Sequence, residues 1–386
     1  MTAKRVLRVI TRLNAGGPSR HVGLLARHLD PARFVQRVVH GALDAGEAPI
    51  APMPEGDLVS CPRLRRPIAP LDDLAAARRL REIIRAYRPD LVHTHQGKAG
   101  LLGRRAARRE GVRAIVHTYH GHTFRRYWSA GLGRILLAVE RGAARLSDAL
   151  VAQSTSQRDE IAAALGPAAE ARLVVIPPGV DFPALAADPG PAPPPREEGE
   201  VRVTFAARLA PVKNVEGFLE AFALVARERP EMRACVAGGG TREAEDDART
   251  RAGALGIAER VRWLGPLDNP RALLASSEVL VCSSRAEGTP LGLLEGLHAG
   301  ANVASFAVGG IADLIGGEAG VHLAPPDDLA ALAGAIARAA DEAGAVDREE
   351  RRRRLERDFG PARLAADLTA LYERLTGVSR PGAASR

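Results

Sequence analysis

The sequence predicts an α/β fold of two Rossmann-like halves, and three observations carry that expectation. Short apolar runs rich in β-branched residues alternate with helical patterns along the chain, as in a parallel sheet covered by helices on both faces. One Pro-rich stretch, 181–200, interrupts the alternation and reads as a linker. The 386 residues, 46% of them hydrophobic, suffice for two cores of ordinary domain size. Only 4% are aromatic, so the cores are expected to be built from Ala, Leu and Val.

The first half, residues 1–180, has strand candidates at Val6–Ile10, Val35–His40, Leu91–His93, Ala114–Thr118, Ala149–Val151 and Leu173–Ile176. Helical periodicity lies between them, for example over Leu71–Tyr87 and Arg134–Arg145. The second half, 201–360, continues with Val201–Ala206, Ala234–Ala237, Val261–Trp263, Val279–Val281, Asn302–Ser305 and Val321–Leu323, without repeating the first half's sequence. The last part, 361–386, holds a helical stretch, Pro361–Leu375, and a tail from Ser379 that reads as disordered. Ligands of open parallel sheets bind beyond the carboxyl ends of the strands. Two such domains facing one another would place a site in the cleft between them.

Composition excludes several classes. No apolar run is long enough to span a membrane. The start, Met1–Val6, runs straight into a strand-like segment and does not read as a signal peptide. Cys61, Cys235 and Cys282 are scattered and lack metal-ligand spacing, which fits reduced thiols and a cytoplasmic location. Charge is uneven: residues 1–190 hold 29 basic against 17 acidic side chains, while the rest is net acidic. Such a basic half suits nucleic acid, an anionic membrane surface or a phosphorylated substrate. Arginine written everywhere on solvated faces is the competing explanation, and the run Arg351–Arg354 is read that way. Lysine is scarce: Lys4, Lys98 and Lys213 are the only three. A retained Lys among so many Arg points to a need for a compact ammonium.

The most informative stretch is Glu287-Gly288-Thr289-Pro290-Leu291-Gly292-Leu293-Leu294-Glu295. It follows a strand candidate and reads as a turn opening a short apolar helix. Two carboxylates bracket a helix N-terminus, where free amides and the dipole favour an anion. A sugar nucleotide needs such a place, with its diphosphate at the amides and its hydroxyls at carboxylates. A glycosidase pair is the other reading. On one continuous helix eight residues rise about 12 Å, whereas hydrolases need their carboxylates at most about 9.5 Å apart. That counts against hydrolysis unless Glu287 sits in the turn and folds back.

Four other segments sit at strand ends. Gly16-Gly17 with Pro18 follows the first strand and opens a helix, allowing close backbone approach. It is not the dinucleotide fingerprint, so NAD is unsupported. Lys98 falls in a first helical turn, where a cation opposes the dipole; an anionic ligand nearby or a solvated side chain would each account for it. His117, His120 and His122 crowd a strand end, but the context does not converge three ligands on a metal. A His there suits hydrogen bonding to a sugar or acceptor. Arg208 and Lys213, five apart at a strand end, can clamp a diphosphate. No Asp-x-Asp motif occurs.

These segments, in this order, resemble the GT-B glycosyltransferases of the retaining family 4. The match rests on Gly16-Gly17, His120-Gly121, Ile176-Pro177-Pro178-Gly179-Val180-Asp181, Arg208 with Lys213, and Glu287-x7-Glu295. His93–Arg104 with His117–Phe124 resembles a branch that builds bacterial surface polysaccharides on polyprenyl-diphosphate carriers. The resemblance implies an acceptor-binding first domain, a nucleotide-sugar-binding second domain and a C-terminal helix that can cross back to the first. It implies Arg208 and Lys213 on the donor diphosphate, Glu287 by the donor sugar and Glu295 on the ribose. Amides near Thr289–Leu291 and at Gly16-Gly17 would meet phosphate or sugar, and His120 the sugar or acceptor. Leu264 is expected near the base and Lys98 near the acceptor. Where many members carry Phe-Gly this chain has Thr289-Pro290; Pro lacks an N–H, leaving the amide of Leu291.

The expected reaction is metal-independent, cofactor-free transfer of a hexosyl group from a nucleoside diphosphate sugar, UDP-sugars favoured, with retention. Polysaccharide or lipid-linked glycan is the expected acceptor, with peripheral contact at the inner face of the membrane. A sugar-nucleotide epimerase of similar architecture is the alternative. A nucleic-acid-binding protein ranks lower, for want of stacking aromatics.

Overall fold

The structure, a computed structural model, describes residues 2–14, 16–44, 47, 58–121, 130–188 and 190–377, without the side chains of Ala130 and Leu132. The tail from Ser379 and His122 of the histidine segment lie outside the described residues. Two compact units emerge: Met1–Gly179 together with Pro361–Arg386, and Val180–Gly360.

The first unit is a seven-stranded parallel sheet: β1 (Lys4–Ile10), β2 (Phe34–His40), β3 (Leu58–Ser60), β4 (Leu91–His95), β5 (Ala114–Thr118), β6 (Ala149–Ala152) and β7 (Leu173–Val175). Their order is β3-β2-β1-β4-β5-β6-β7. β3 was not expected; three residues at a sheet edge carry no periodicity to read. Central strands of a parallel sheet are covered on both faces and so read as apolar runs. Val6, Leu7, Val9 and Ile10 of β1 are fully buried, each contributing about 2 kcal/mol by leaving water. The helix Pro361–Thr376 belongs to this unit. Its Leu364, Leu368, Leu371 and Tyr372 pack with Val6, Leu24, Leu91 and Val116. Gly179 permits that packing: a Cβ there would fall 2.6 Å from Leu24 and 2.7 Å from Leu364.

The second unit is a six-stranded parallel sheet: β8 (Val201–Ala206), β9 (Met232–Ala237), β10 (Val261–Gly265), β11 (Val279–Cys282), β12 (Asn302–Phe306) and β13 (Val321–Ala324). Their order is β10-β9-β8-β11-β12-β13. The aliphatic core contains a short phenylalanine group, Phe205, Phe218 and Phe222.

The Pro-rich stretch 181–200 lies within the second unit. It forms the helix Phe182–Ala187, capped by Asp181, and Arg196 bonds both carboxylate oxygens of Glu278 at 2.8 Å. The expectation that Arg351–Arg354 is a solvated face is corrected. Arg351 is 1% exposed and donates to Asn302 Oδ1 at 2.8 Å and to the Ala319 carbonyl. Burial lowers its pKa to about 10. Only Arg353 of the four is exposed, because one face of the helix Arg348–Phe359 docks on the unit. No helix among the described residues is long and apolar enough to cross a membrane.

Candidate active site

In the second unit the chain leaves β8 in one direction and β11 in the other, so a crevice opens beyond their carboxyl ends. The loops after those two strands carry Lys213 and Glu287. They are stitched together by backbone and short side chains. Ser283 Oγ donates to the Asn214 carbonyl at 2.8 Å, Asn214 Nδ2 to the Ser283 carbonyl at 3.2 Å, and Arg285 N–H to the Val212 carbonyl at 2.9 Å. Asn214 suits this corner twice over. It tolerates the left-handed backbone found there (φ 53°), and its side chain caps the helix Val215–Glu228. The result is an ion pair of 2.6 Å between Lys213 Nζ and Glu287 Oε1, both partly buried.

Arg208, on the same loop as Lys213, is exposed. Its loop leans on Gly238-Gly239-Gly240 after β9, which the sequence reading did not single out. A Cβ at Gly238 would lie 1.8 Å from the Ala207 carbonyl, and Leu209 N–H donates to Gly239 O at 2.9 Å. Three consecutive glycines after a strand were the available signal. Leu264, near the end of β10, is half-buried against Cys235, Ala237 and Leu273.

The helix after the Glu287 loop spans Leu291–Ala299, so the two glutamates do not share one helix and the rise of about 12 Å does not separate them. Pro290 ends the loop. Its carbonyl accepts from Leu293 and Leu294, and Leu291 N–H donates to the Thr289 carbonyl at 2.9 Å. The amide expected to remain available is therefore turned inward; Gly292, next along, is exposed. Glu295 is half-buried beside Arg271, and both line a small recess with Leu185, Asn269 and Leu274. Cys282 Sγ lies 3.8 Å from Glu287 Oε1. Burial, and then the Glu287 charge, push its thiol up, so it is no thiolate nucleophile at neutral pH.

The first unit has its own reversal, at β1 and β4. Gly17 begins the helix Gly17–His28, with Gly16 as its extended N-cap and Pro18 in the first turn. A Cβ on Gly16 would meet only Asn14, at 3.8 Å, so packing does not demand glycine there. Lys98 is in the first turn of the helix Gly97–Arg109, as expected, but the fold supplies its counter-charge. Nζ bonds Asp73 Oδ1 at 2.5 Å and the Pro67 carbonyl, and the side chain is 12% exposed.

His120 gathers company that the sequence reading missed. Its Nε2 is 2.9 Å from His95 Nδ1, and the ring of His21 stands edge-on to both. Behind them Arg8, fully buried in β1, donates to Tyr372 Oη at 2.9 Å. That hydroxyl lies 2.6 Å from His93 Nδ1, and His93 Nε2 lies 2.7 Å from Thr118 Oγ1. Hydrogen bonding is self-consistent if Tyr372 donates to His93 and His93 to Thr118. Burial holds His21, His93 and His95 well below the usual imidazole range and His120 down to about 3, so the rings are neutral. Both ring nitrogens of His21 and Nε2 of His95 are buried without a hydrogen-bond partner among the described residues. His117 instead bonds Thr94 Oγ1 at 2.9 Å and packs against Gly100. No group of three or more His, Cys, Asp or Glu among the described residues is arranged to hold a metal ion. Polar residues inside β4 and β5 were the signal for this cluster: Leu-Val-His-Thr-His is an odd sequence for a strand buried throughout.

Comparison with known proteins bears on both sites. Residues 15–182 match the family model described as Glycosyltransferase Family 4, and residues 200–342 that described as Glycosyl transferases group 1. The chain is similar to the glycogen synthase of Mycobacterium tuberculosis, 32% identical over 298 residues covering 75% of this chain and 69% of that one. It is 27% identical to the UDP-Gal:alpha-D-GlcNAc-diphosphoundecaprenol alpha-1,3-galactosyltransferase of Escherichia coli, over 73% and 74% of the two chains. In fold it resembles sucrose-phosphate synthase from Thermosynechococcus elongatus, with TM-score 0.79, 20% identity, and 97% and 100% of the two chains covered.

Proposed function

The chain belongs to the glycosyltransferases, a Family 4 domain followed by a group 1 domain, and from that premise we propose a retaining, metal-independent transfer. The donor is a nucleoside diphosphate hexose, UDP-linked by preference. The acceptor is a polysaccharide or lipid-linked glycan at the inner face of a membrane. The observation that carries the reading is the Lys213–Glu287 pair at 2.6 Å, where the strand order of the second unit reverses.

The pair stores both groups in the geometry the donor needs. When the diphosphate enters, Lys213 exchanges a carboxylate for a phosphate, and Glu287 is released toward the sugar hydroxyls. Arg208, exposed on the same loop, closes on the diphosphate from the side. As the anomeric carbon–oxygen bond breaks, charge collects on the departing phosphate, where two cations and a helix N-terminus stabilise it without reorganising. Gly292 is the first-turn amide that supports this reading, since Pro290 has none and that of Leu291 is engaged with Thr289. Glu295 serves the ribose. The acceptor oxygen bonds the same face of the anomeric carbon, and its proton passes to the leaving phosphate oxygen. No protein nucleophile is then required, and the neutral thiol of Cys282 is not one. In the first unit, Gly16 has room to spare and Gly17 opens a helix, which supports close approach of phosphate or sugar there. His120, a neutral imidazole, hydrogen-bonds sugar or acceptor hydroxyls without adding charge. Lys98, engaged with Asp73, shapes the acceptor region through that helix.

The test is a transfer assay with UDP-sugars in excess chelator, the product's anomeric coupling read by NMR. Retained configuration and undiminished rate are expected. An inverted product, or loss of activity on chelation, would sink the mechanism. Conversion of the nucleotide sugar without any acceptor would favour the epimerase.

A further inference from the structure

His95 and His120 form a pair whose shared proton can be placed. His95 ends β4 opposite Thr118, the last residue of β5, so the chain beyond β5 brings His120 alongside it. His95 Nδ1 and His120 Nε2 are 2.9 Å apart, a hydrogen bond with one proton between two nitrogens. His21 packs edge-on against both rings, at 5.7 and 5.0 Å between centroids, and holds them in place. Burial keeps both imidazoles neutral, so each carries a single N–H.

Two arrangements are then open. If His120 donated, the proton of His95 would sit on its own Nε2. That atom is buried and has no hydrogen-bond partner among the described residues. A buried N–H without an acceptor is rare and costly, an unused acceptor less so. Arg8, fully buried in the same cluster, adds positive charge that also favours a bare nitrogen. If His95 donates instead, its Nε2 is bare. His120 then accepts at Nε2 and must carry its own proton on Nδ1, since the bond made by one ring nitrogen sets the state of the other. His120 is half-buried, and its Nδ1 is open rather than enclosed.

We infer that His95 is a positioning residue for the transfer: its Nδ1–H fixes His120 as the Nδ1–H tautomer, which presents a hydrogen-bond donor and no base to the substrate. The inference rests on the reading that His120 meets the sugar or the acceptor. A hydroxyl, ring or carbonyl oxygen accepts from that N–H. An ammonium cannot, so an amino sugar charged at the contacted position is disfavoured. With its other nitrogen occupied by His95, the ring takes no proton from the acceptor, in keeping with passage of that proton to the leaving phosphate.

Long-range proton–nitrogen correlation NMR of the full chain, with labelled histidine, tests the assignment, because protonated and bare ring nitrogens resonate far apart. The signals of the two rings are identified by their loss in His95→Asn and His120→Gln. Both rings should show a protonated Nδ1 and a bare Nε2. A protonated Nε2 on either ring, or averaged shifts, would overturn the inference. Asn places its amide N–H where imidazole has Nδ1, and Gln where imidazole has Nε2. His95→Asn should therefore leave His120 in the same tautomer and keep kcat within about twofold, whereas His95→Gln should release it and lower kcat about fivefold or more, the worth of one hydrogen bond. Equal losses in the two variants would show a packing role and overturn the positioning. Wild-type turnover of His120→Gln, with the spectra as expected, would refute instead the contact between His120 and substrate and leave the tautomer standing.

Discussion

Acid should unfold the first unit, and the histidine cluster sets how steeply. An unfolded His takes up its proton near pH 6.5. His120 is held down to about 3, and His21, His93, His95 and His117 are held well below the usual range, each chiefly by burial. Below pH 6.5 the unfolded chain therefore binds protons that the folded one refuses. Stability is complete above that value and falls with pH until the folded groups themselves titrate. Each depressed imidazole costs about 1.4 kcal/mol per pH unit over that window. One unit below pH 6.5, His120 alone would remove about 1.4 kcal/mol, and the other four act in the same direction, against a whole stability of about 5–15 kcal/mol for an ordinary domain. The assay is native-state hydrogen exchange of the β4 and β5 amides at about pH 7.5, 6.5 and 5.5, corrected for intrinsic rates. His120→Gln should reduce the drop between about pH 7.5 and 5.5 by about 1.4 kcal/mol. The β8 and β11 amides, in a unit with only His298 and His322, should lose far less. A fall in β4 and β5 under about 1.5 kcal/mol, or one that His120→Gln leaves unchanged, would refute burial as the cause.

Three further outcomes are expected. Lys213→Ala and Glu287→Ala should each lower kcat about a hundredfold or more while the melting curve persists, and their effects should not add, because each change strips the other residue of its partner; near-normal turnover in either would move the reaction elsewhere. Asn214→Ala removes a helix cap and puts an ordinary side chain at a left-handed backbone, so urea denaturation should show a loss of about 1–2 kcal/mol together with a fall in kcat; an unchanged kcat would separate the corner from the chemistry. Gly238→Ala drives a Cβ to 1.8 Å from the Ala207 carbonyl, displacing the Arg208 loop; a raised KM for the nucleotide sugar is expected, and wild-type KM would show that the loop can give way without cost.

Much of the candidate site in the second unit was legible because its residues are close in sequence to strand ends, and strand ends are easy to find in an alternating pattern. The positions of Arg208, Lys213, Glu287 and Glu295 after β8 and β11 were read that way. The first unit was harder. Its cluster draws His21 from a helix, His93 and His95 from one strand, His120 from beyond the next, and Tyr372 from the far end of the chain. His120 and the segment from His93 stood in motif-like stretches, but nothing there joined them to His21; Arg8 looked like an ordinary strand residue until Tyr372, 364 positions away, accepted its hydrogen bond.

The sequence by itself determined the two parallel-sheet units and the loops that carry the candidate site residues, because side-chain periodicity and turn chemistry are local properties. Tertiary structure decided which charges are available. It turned Lys98 toward Asp73, buried Arg351 against Asn302 and bent Leu291's amide to Thr289. It set Lys213 against Glu287 across 74 residues. A charge takes its chemistry from its partners and its solvent, and both are assigned only when distant segments pack.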